Sequence, residues 1–468
     1  MTGAFIDPLL LSAVELTEQY RLRHFSPVEV TKAALSRIAK LNPIYNAFCV
    51  LDEAAALAGA RESETRWRSG NPLGPADGVP TTVKDLILTK GWPTLRGSRT
   101  TDANQPWDED APPVARLREQ GAIFLGKTTT SEFGWKGVTD SPLTGVTRNP
   151  WDKNLTPGGS SGGAAVAAAL GMGTFNIATD GGGSIRIPAS LCGLFGIKPT
   201  WGIVPVYPHS PAWTLWHQGP ISRTVSDAAL MLTLIAQPDI RDWAAAPALG
   251  IDYRKELEKG VTGLRIGVSP TLGYAKVDAE VARLVALAAN EFTQLGANVE
   301  ELDLQFDDPI SIMQPLWAVA LALAVAPMSS TQRALCDPGM LELAESGFSL
   351  SALAYRQLER ARDAFGRRLN ALHDRYDLLI TPQLATTAFA AGYEVPPDSD
   401  MKRWWQWSPF TYPFNLTQQP AATVPCGFAP NGLPVAMQIV GAKFADALVL
   451  RAARAYETAH PFLLPRVE

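Results

Sequence analysis

Two glycine- and serine-rich segments constrain the fold of this chain more than any other feature. Residues 156–163 read TPGGSSGG and residues 179–188 read TDGGGSIRIP. The first leads directly into the alanine-rich run AAVAAALG, and the second follows the short apolar run TFNIAT. Flexible linkers lack such flanks, so both segments are predicted to be tight strand-to-helix turns, where glycine permits positive φ and close backbone approach. Free amides in such turns can hold an anion or a developing oxyanion.

The composition indicates a folded protein and argues against several classes of function. Of the 468 residues, 46% are apolar and 19% are charged, which is typical of a globular chain. A formal net charge of −5 predicts no basic face and therefore no nucleic-acid partner. The cysteines and histidines are scattered without metal-ligand spacing, so we expect no disulfide scaffold, no metal and no cofactor.

No segment has the character of a membrane span or a secretory signal. The longest apolar run, residues 316–326, is far shorter than the roughly 20 residues needed to cross a bilayer, which indicates a buried helix. Residues 1–11 contain the acidic Asp7 and no basic residue, unlike a signal peptide. We therefore expect a cytoplasmic protein with no membrane partner.

Apolar periodicity predicts alternating helices and strands, which favours an α/β sheet with mixed strands. The Ser26-Pro27-Val28-Glu29 sequence has the residues of a capping box and predicts a helix from Pro27. Further helices are predicted over residues 12–21, 54–69, 111–120, 279–295 and 351–372. Strands are predicted over residues 79–88, 122–125, 174–179, 264–268, 298–304 and 377–381.

One literal motif match is rejected. Residues 121–128, GAIFLGKT, fit the G-x-x-x-x-G-K-[ST] pattern of a phosphate-binding loop. That loop needs a preceding strand, whereas residues 114–120 are predicted to be helical. The four inner residues are apolar and are predicted to be buried in a strand, whose amides face neighbouring strands and not a phosphate.

The glycine–serine block resembles the signature of the amidase signature family. Ser160 and Ser184 stand 24 residues apart, as that family requires, within TPGGSSGG…ATDGGGSIRIPASLCGLFGIKPT. Residues 78–85 (GVPTTVKD), 219–227 (GPISRTVSD) and 432–441 are similar to its other blocks. The resemblance implies an α/β amidase-signature fold, in which helices flank both faces of a large mixed central β-sheet. It implies a single domain over residues 1–468, with a core at about 75–225 and a variable helical and aromatic region at about 240–420.

The resemblance also implies an amidohydrolase with a Lys–Ser–Ser triad. Ser184 would be the nucleophile that forms an acyl-enzyme, Lys84 the base, and Ser160 the proton relay, with a cis peptide bond after Gly159. The oxyanion hole would be formed by the turn amides, which belong to Gly181, Gly182, Gly183 and Ser184.

The residue types agree with this chemistry. A serine hydroxyl needs an adjacent base, and no histidine lies in these motifs. Lysine can be that base only when neutral, which requires burial because its ordinary pKa is about 10.4. The neighbours of Lys84 are largely apolar and suit burial, whereas Asp85 would point to the opposite face of a strand.

Several neighbouring residues are predicted to support the site without reacting. Ser161 is expected to hydrogen-bond the loop or to cap the helix that begins at Gly162. Arg186 is expected to order the glycine turn through Asp180 or backbone carbonyls. Cys192 lies in the apolar SLCGLFG sequence and is interpreted as a buried small residue. A cysteine or nitrilase-type attack at Cys192 is the alternative chemistry.

Aromatic clusters favour an uncharged aryl or bulky apolar amide as the small-molecule substrate. Trp213, Trp216, Trp405 and Phe410 are candidate pocket residues, although the same rings could form a core or the interface of a homodimer. Within the family, the alternative is the glutaminase-type component of a tRNA-dependent amidotransferase. Ser408 stands where those glutaminases carry an aspartate for the glutamine amine, which weakens that alternative. A non-catalytic scaffold on the same fold is the other alternative.

Overall fold

A central sheet of 11 strands organises the computed structural model, which describes residues 7–466. The first six positions of the 1–11 segment lie outside that range. The strands are β1 Phe48–Leu51, β2 Pro80–Lys84, β3 Ile123–Thr128, β4 Asp140–Ser141, β5 Gly145–Val146, β6 Phe175–Asp180, β7 Phe195–Lys198, β8 His217–Ser222, β9 Arg265–Val268, β10 Asn298–Glu301, β11 Leu378–Pro382, β12 Ala421–Phe428 and β13 Pro434–Gly441.

The sheet is mixed, as predicted. Its order is β1-β3-β2-β6-β8-β7-β12-β13-β11-β9-β10, while β4 and β5 form a separate hairpin. Strand β2 lies parallel to both β3 and β6, whereas β8, β7, β12 and β13 are joined by antiparallel pairings. Lys84 at the end of β2 and Asp180 at the end of the parallel β6 therefore reach the same edge of the sheet.

Helices cover both faces of the sheet. They are α1 Ala13–Leu22, α2 Pro27–Tyr45, α3 Glu53–Ser69, α4 Pro112–Glu119, α5 Gly162–Ala169, α6 Arg186–Cys192, α7 Val225–Ile235, α8 Ala279–Gln294, α9 Ile310–Val325, α10 Ser330–Arg333, α11 Pro338–Phe348, α12 Ala352–Asn370, α13 Pro413–Leu416 and α14 Asp446–Ala459. Ile177 packs in the hydrophobic cluster of α7, α8 and α14, whereas its neighbour Ala178 packs in the cluster of α2, α5 and α6. This alternation along β6 is the period-two pattern of a strand buried on both faces.

A third hydrophobic cluster closes the molecule beside the ends of β2 and β6. It joins α9, α11 and α12 to the aromatic segment 404–416. Residues 316–326, predicted to be a buried helix, lie almost entirely in α9. No helix within residues 7–466 is long and apolar enough to cross a membrane.

Local sequence signals placed several elements correctly. In α2 the predicted capping box is present, since the Glu29 amide donates to Ser26 Oγ at 3.2 Å and the Ser26 amide donates to Glu29 Oε2 at 2.8 Å. The rejection of a phosphate loop is confirmed, because residues 126–128 form the end of β3 and pair with β1 and β2. A phosphate could not reach amides that are occupied in this way.

Candidate active site

Lys84 ends β2 in a fully buried position surrounded by hydroxyl groups. Its Nζ lies 2.7 Å from Ser160 Oγ, 2.8 Å from Ser161 Oγ and 2.9 Å from Thr179 Oγ1. Asp85 points elsewhere and pairs with Lys127 at 3.3 Å. The strand thus presents Lys84 to two consecutive serines and keeps the adjacent carboxylate out of contact.

Burial lowers the pKa of Lys84 well below its usual range, and the charge of Asp180 only partly opposes this effect. A neutral amine has two N–H donors and one lone pair. Ser161 Oγ donates its own proton to the Thr179 carbonyl at 3.1 Å, so it accepts from Lys84. If Thr179 Oγ1 accepts the second N–H, the amine lone pair faces Ser160. The surroundings therefore suit a lysine that accepts a proton from Ser160.

The segment before α5 brings Ser160 and Ser161 to this lysine. The Gly159–Ser160 peptide bond is cis. Gly159 passes so close to the Val138 backbone that an added Cβ would lie 2.4 Å from its carbonyl group. Ser161 occupies the N-cap position of α5 without a side-chain capping bond, because its hydroxyl is used by Lys84 and the Thr179 carbonyl. Of the two predicted roles of Ser161, capping is therefore wrong and loop bonding is correct.

Ser184 lies in the turn between β6 and α6, and Asp180 holds that turn from below. The Gly183 amide donates to Asp180 Oδ1 at 2.8 Å and the Ile185 amide donates to Oδ2 at 3.2 Å. The predicted oxyanion set needs a correction here, because the Gly183 N–H already has this acceptor. Among the described residues, the amides of Gly181, Gly182 and Ser184 have no such partner.

Arg186 fastens Asp180 to the strands behind the turn, as predicted. Its guanidinium contacts Asp180 through Nε at 2.9 Å and Nη2 at 3.0 Å, and both side chains are completely buried. Burial alone would raise the pKa of Asp180, but the charge and hydrogen bonds of Arg186 bring it below its usual range. The same guanidinium also binds oxygens of three residues, namely Thr411, Asn415 and Gln438.

A cavity of about 280 Å³ opens beside these groups. Gly134 is the point of contact, since an added Cβ there would lie 3.2 Å from Ser160 Oγ and 2.9 Å from Leu86 Cδ1. On the other side, an added Cβ on Gly181 would lie 2.9 Å from the Trp317 ring and 3.3 Å from Trp216. Leu86, Trp216 and Trp317 all line the cavity, so it borders both the Ser160 hydroxyl and the glycine turn.

The four candidate pocket residues have different positions. Trp216 lines the cavity. Trp213 is 38% exposed and lines a neighbouring cleft, where its ring lies 4.4 Å from that of His209. Trp405 and Phe410 do not line the cavity, because they are buried within the third hydrophobic cluster. For these two rings the prediction of a pocket is corrected to that of a core.

Sequence reasoning missed Thr179, Trp317 and Arg96. Thr179 directly precedes Asp180 in the turn motif, so its place was detectable locally. Trp317 comes from α9 and Arg96 from the loop after β2, and both line the cavity. Nothing in their immediate sequence marks them, because their place depends on distant packing.

Cys192 and Ser408 are both inaccessible. Burial raises the pKa of the Cys192 thiol well above its usual range, and Sγ contacts the Pro157 carbonyl at 3.6 Å. That environment suits an inert thiol and not a nucleophile. Ser408 is completely buried and donates to the Trp404 carbonyl at 3.0 Å. Within the described part of the chain, no group of three or more His, Cys, Asp or Glu side chains could hold a metal ion.

Comparisons with known proteins agree with this geometry. The family model described as Amidase matches residues 29–450. An acylamidase of Rhodococcus erythropolis is 36% identical over 97% of this chain and 96% of its own length. The GatA-type component of the glutamyl-tRNA(Gln) amidotransferase of Myxococcus xanthus is 35% identical over 97% of this chain and 98% of its own length. The crystal structure of a bacterial aryl acylamidase of the amidase signature family superposes with a TM-score of 0.91 at 30% identity, covering 97% of each chain.

Proposed function

Because this chain belongs to the amidase signature family of enzymes, which act on amide C–N bonds, we propose that it hydrolyses a carboxylic amide through Lys84, Ser160 and Ser184. The observation that carries the proposal is the 2.7 Å contact between Lys84 Nζ and Ser160 Oγ. Burial favours the neutral form of that lysine, which is the form that a base requires.

The exposure of the three side chains gives the relay a direction. Ser184 is 7% exposed, Ser160 is 1% exposed and Lys84 is completely buried. Ser184 Oγ attacks the amide carbonyl carbon and passes its proton to Ser160 Oγ, while the Ser160 proton moves to Lys84 Nζ. When the C–N bond breaks, the departing nitrogen takes a proton back through Ser160 and leaves as an amine or ammonia. Water then attacks the acyl ester by the same route and releases the carboxylic acid and Ser184.

The turn amides supply the stabilisation of the tetrahedral oxyanion. Gly181, Gly182 and Ser184 offer N–H groups on a backbone that Asp180 fixes from behind. Donors fixed in advance cost no reorganisation when charge develops on the carbonyl oxygen. Removal of one such donor typically costs about 10²- to 10³-fold in kcat. No step of this sequence requires a metal ion or an organic cofactor.

We propose an aryl or bulky apolar amide as the substrate. The cavity wall is mainly aromatic and aliphatic and includes Phe133, Trp216 and Trp317. A protein cavity of about 150 Å³ accommodates benzene. The volume of about 280 Å³ beside Ser160 therefore suits a substituted ring, and acetamide would leave most of it unfilled.

Glutamine hydrolysis within an amidotransferase is the second candidate, favoured by the 35% identity to the Myxococcus xanthus amidotransferase component. The glutamine ammonium group would need an acidic partner. Ser408 offers no carboxylate, and its hydroxyl is bound to the Trp404 carbonyl. No Asp or Glu lines the cavity in the described part of the chain. These observations favour a free small-molecule amide processed by this chain without a partner protein.

The proposal is tested by active-site labelling and a substrate panel on the isolated protein. A fluorophosphonate should label Ser184, as located by peptide mass spectrometry. The panel is acetamide, hexanamide, acetanilide, indoleacetamide and glutamine, compared by kcat/KM. Failure to label Ser184, together with no turnover, overturns the amidase proposal and supports a scaffold. A highest kcat/KM for glutamine, or aryl amides no better than acetamide, overturns the proposed substrate class alone.

A further inference from the structure

Arg96 places a cationic side chain in the wall of an otherwise apolar cavity. It follows β2 and lines the cavity together with Leu86, Phe133 and Trp216. Its backbone is left-handed, with φ of 59°, and Phe133 is also left-handed, with φ of 49°. The Phe133 amide donates to the Arg96 carbonyl at 2.8 Å. Such φ values are unfavourable for side chains larger than glycine and are found preferentially at functional sites.

No carboxylate neutralises this guanidinium. Among residues 7–466, Arg96 forms no ion pair, and its side chain makes a single hydrogen bond, from Nη1 to the Thr94 carbonyl at 3.4 Å. Asp85 is close enough to act on Arg96 electrostatically. Its carboxylate is already engaged, by Lys127 at 3.3 Å and by the amides of Leu95 and Gly97 at 3.2 Å each.

The local charges therefore do not balance. Burial lowers the pKa of Arg96, and the Asp85 carboxylate opposes that effect, but a guanidinium remains protonated at any working pH. Lys127, whose pKa burial lowers to about 8, is still mostly protonated at neutral pH. Two cations thus share one carboxylate beside a low-polarity space. A partly buried charge without a counter-ion is costly, and a ligand carboxylate there would form charge-assisted hydrogen bonds to the guanidinium.

Arg96 also lies beside the reacting groups. Its partner Phe133 is followed by Gly134, the residue that separates Leu86 from Ser160 Oγ. A ring in the cavity would thus have its amide at Ser160 and Ser184 and its substituent within the wall that Arg96 completes. Sequence reasoning expected an uncharged substrate because it considered only an acidic anchor for an ammonium group, and not a cationic anchor for a carboxylate.

We propose that Arg96 determines specificity by binding a carboxylate of the substrate, so that the preferred substrates are aryl amides that carry one carboxylate. This inference rests on the proposed amidase function and narrows its substrate class. Arginine suits the role because its planar fork can bind both carboxylate oxygens at once.

The test compares anionic and neutral substrates of the same shape. For a carboxylate on the amine side the pair is 4-acetamidobenzoate and 4-acetamidoacetophenone. For a carboxylate on the acyl side it is 4-carbamoylbenzoate and 4-acetylbenzamide. We expect at least one anionic member to have a kcat/KM on the order of 10- to 100-fold higher than its neutral partner, which is the scale of charge-assisted bonds. Arg96→Gln should remove that preference mainly through KM, and leave the neutral substrates within about threefold.

The exposed Arg99 provides the matched control, because Arg99→Gln removes the same charge outside the cavity wall. It should keep the preference. A second measurement needs no variant: benzoate should inhibit the native enzyme competitively and more strongly than benzamide.

The inference and the proposed function fail in different ways. If the neutral amides are hydrolysed and Ser184 is labelled, but neither anionic member is preferred and benzoate is no better an inhibitor than benzamide, Arg96 does not bind a carboxylate. A preference that persists in Arg96→Gln overturns the assignment in the same way. If Ser184 is not labelled and no amide is hydrolysed, the amidase proposal itself is wrong.

Discussion

Lys84 Nζ lies 2.7 Å from Ser160 Oγ at the closed end of a path that opens into the cavity at Ser184. The lysine is buried, and its pKa lies well below the usual range because burial disfavours the ammonium form. A base that is neutral at working pH and a hydroxyl in direct contact with it are the two requirements for activating a serine without histidine. The predictions for the site follow from this pair.

Replacing Ser184 by alanine should abolish hydrolysis and leave the fold intact. Loss of the nucleophile removes the acyl-enzyme route, so kcat/KM should fall by about 10³-fold or more. Fluorophosphonate labelling should disappear as well. Circular dichroism and thermal unfolding should match those of the native protein. Ser190→Ala in α6 is the control, and it should retain activity and labelling. Normal labelling in Ser184→Ala would assign the nucleophile elsewhere.

The acidic limb of the rate profile should report Lys84. Since only the neutral amine accepts a proton, kcat/KM should rise with pH as Lys84 deprotonates. The limb should lie below the ordinary lysine range of about 10.4, because burial lowers the pKa of this group. Lys84→Arg should be nearly inactive at every pH, because the guanidinium stays protonated. The exposed Lys90→Arg should behave as the native enzyme does. Near-normal activity of Lys84→Arg would contradict the role of a base.

Thr179 should tune Lys84 without reacting. Its Oγ1 lies 2.9 Å from Nζ and accepts a hydrogen bond that stabilises the ammonium form more than the neutral form. Thr179→Val removes that acceptor while keeping the shape of the side chain. The pKa of Lys84 should therefore fall further, and the acidic limb of kcat/KM should move to lower pH. An unchanged limb, or one moved to higher pH, would show that the contact does not stabilise the ammonium form.

The sequence predicted those parts of the site that are local in the chain. The turn at 179–188 and the pair Ser160–Ser161 have their residues side by side, and Lys84 ends a strand with an evident apolar pattern. The mixed α/β class could also be predicted, because strands and helices alternate in periodicity.

The remaining parts depend on contacts between distant segments. Trp317 reaches the cavity from a helix that reads simply as apolar, whereas Trp405 and Phe410 are in the core although their sequence resembles an aromatic pocket. Strands β12 and β13 were not predicted, although their residues are largely buried. Partial use of a turn amide, as at Gly183, depends on where Asp180 points and cannot be read from the motif.

The last prediction concerns stability and rests on Asp227 in α7. Its Oδ1 accepts from the Ala13 amide at 2.7 Å, while Oδ2 has no donor among the described residues. Burial raises the pKa of this carboxyl from 3.8 to about 6, although the charge of Arg223 opposes the shift. Between pH 4 and 6 the folded state therefore binds more protons here than the unfolded state, so this carboxyl makes folding less favourable as pH rises through that window. Above it the penalty is complete.

Asp227→Asn tests this directly, because asparagine keeps an acceptor for Ala13 and does not titrate. A shift of about two units corresponds to roughly 3 kcal/mol at most, at 1.36 kcal/mol per unit. The free energy of unfolding of the variant minus that of the native protein should therefore become more positive between pH 4 and pH 7, by up to that amount. Urea unfolding followed by tryptophan fluorescence at both pH values measures it. Other carboxyls titrate equally in both proteins and cancel in the difference, so a difference that stays constant or falls with pH would show that Asp227 is not raised.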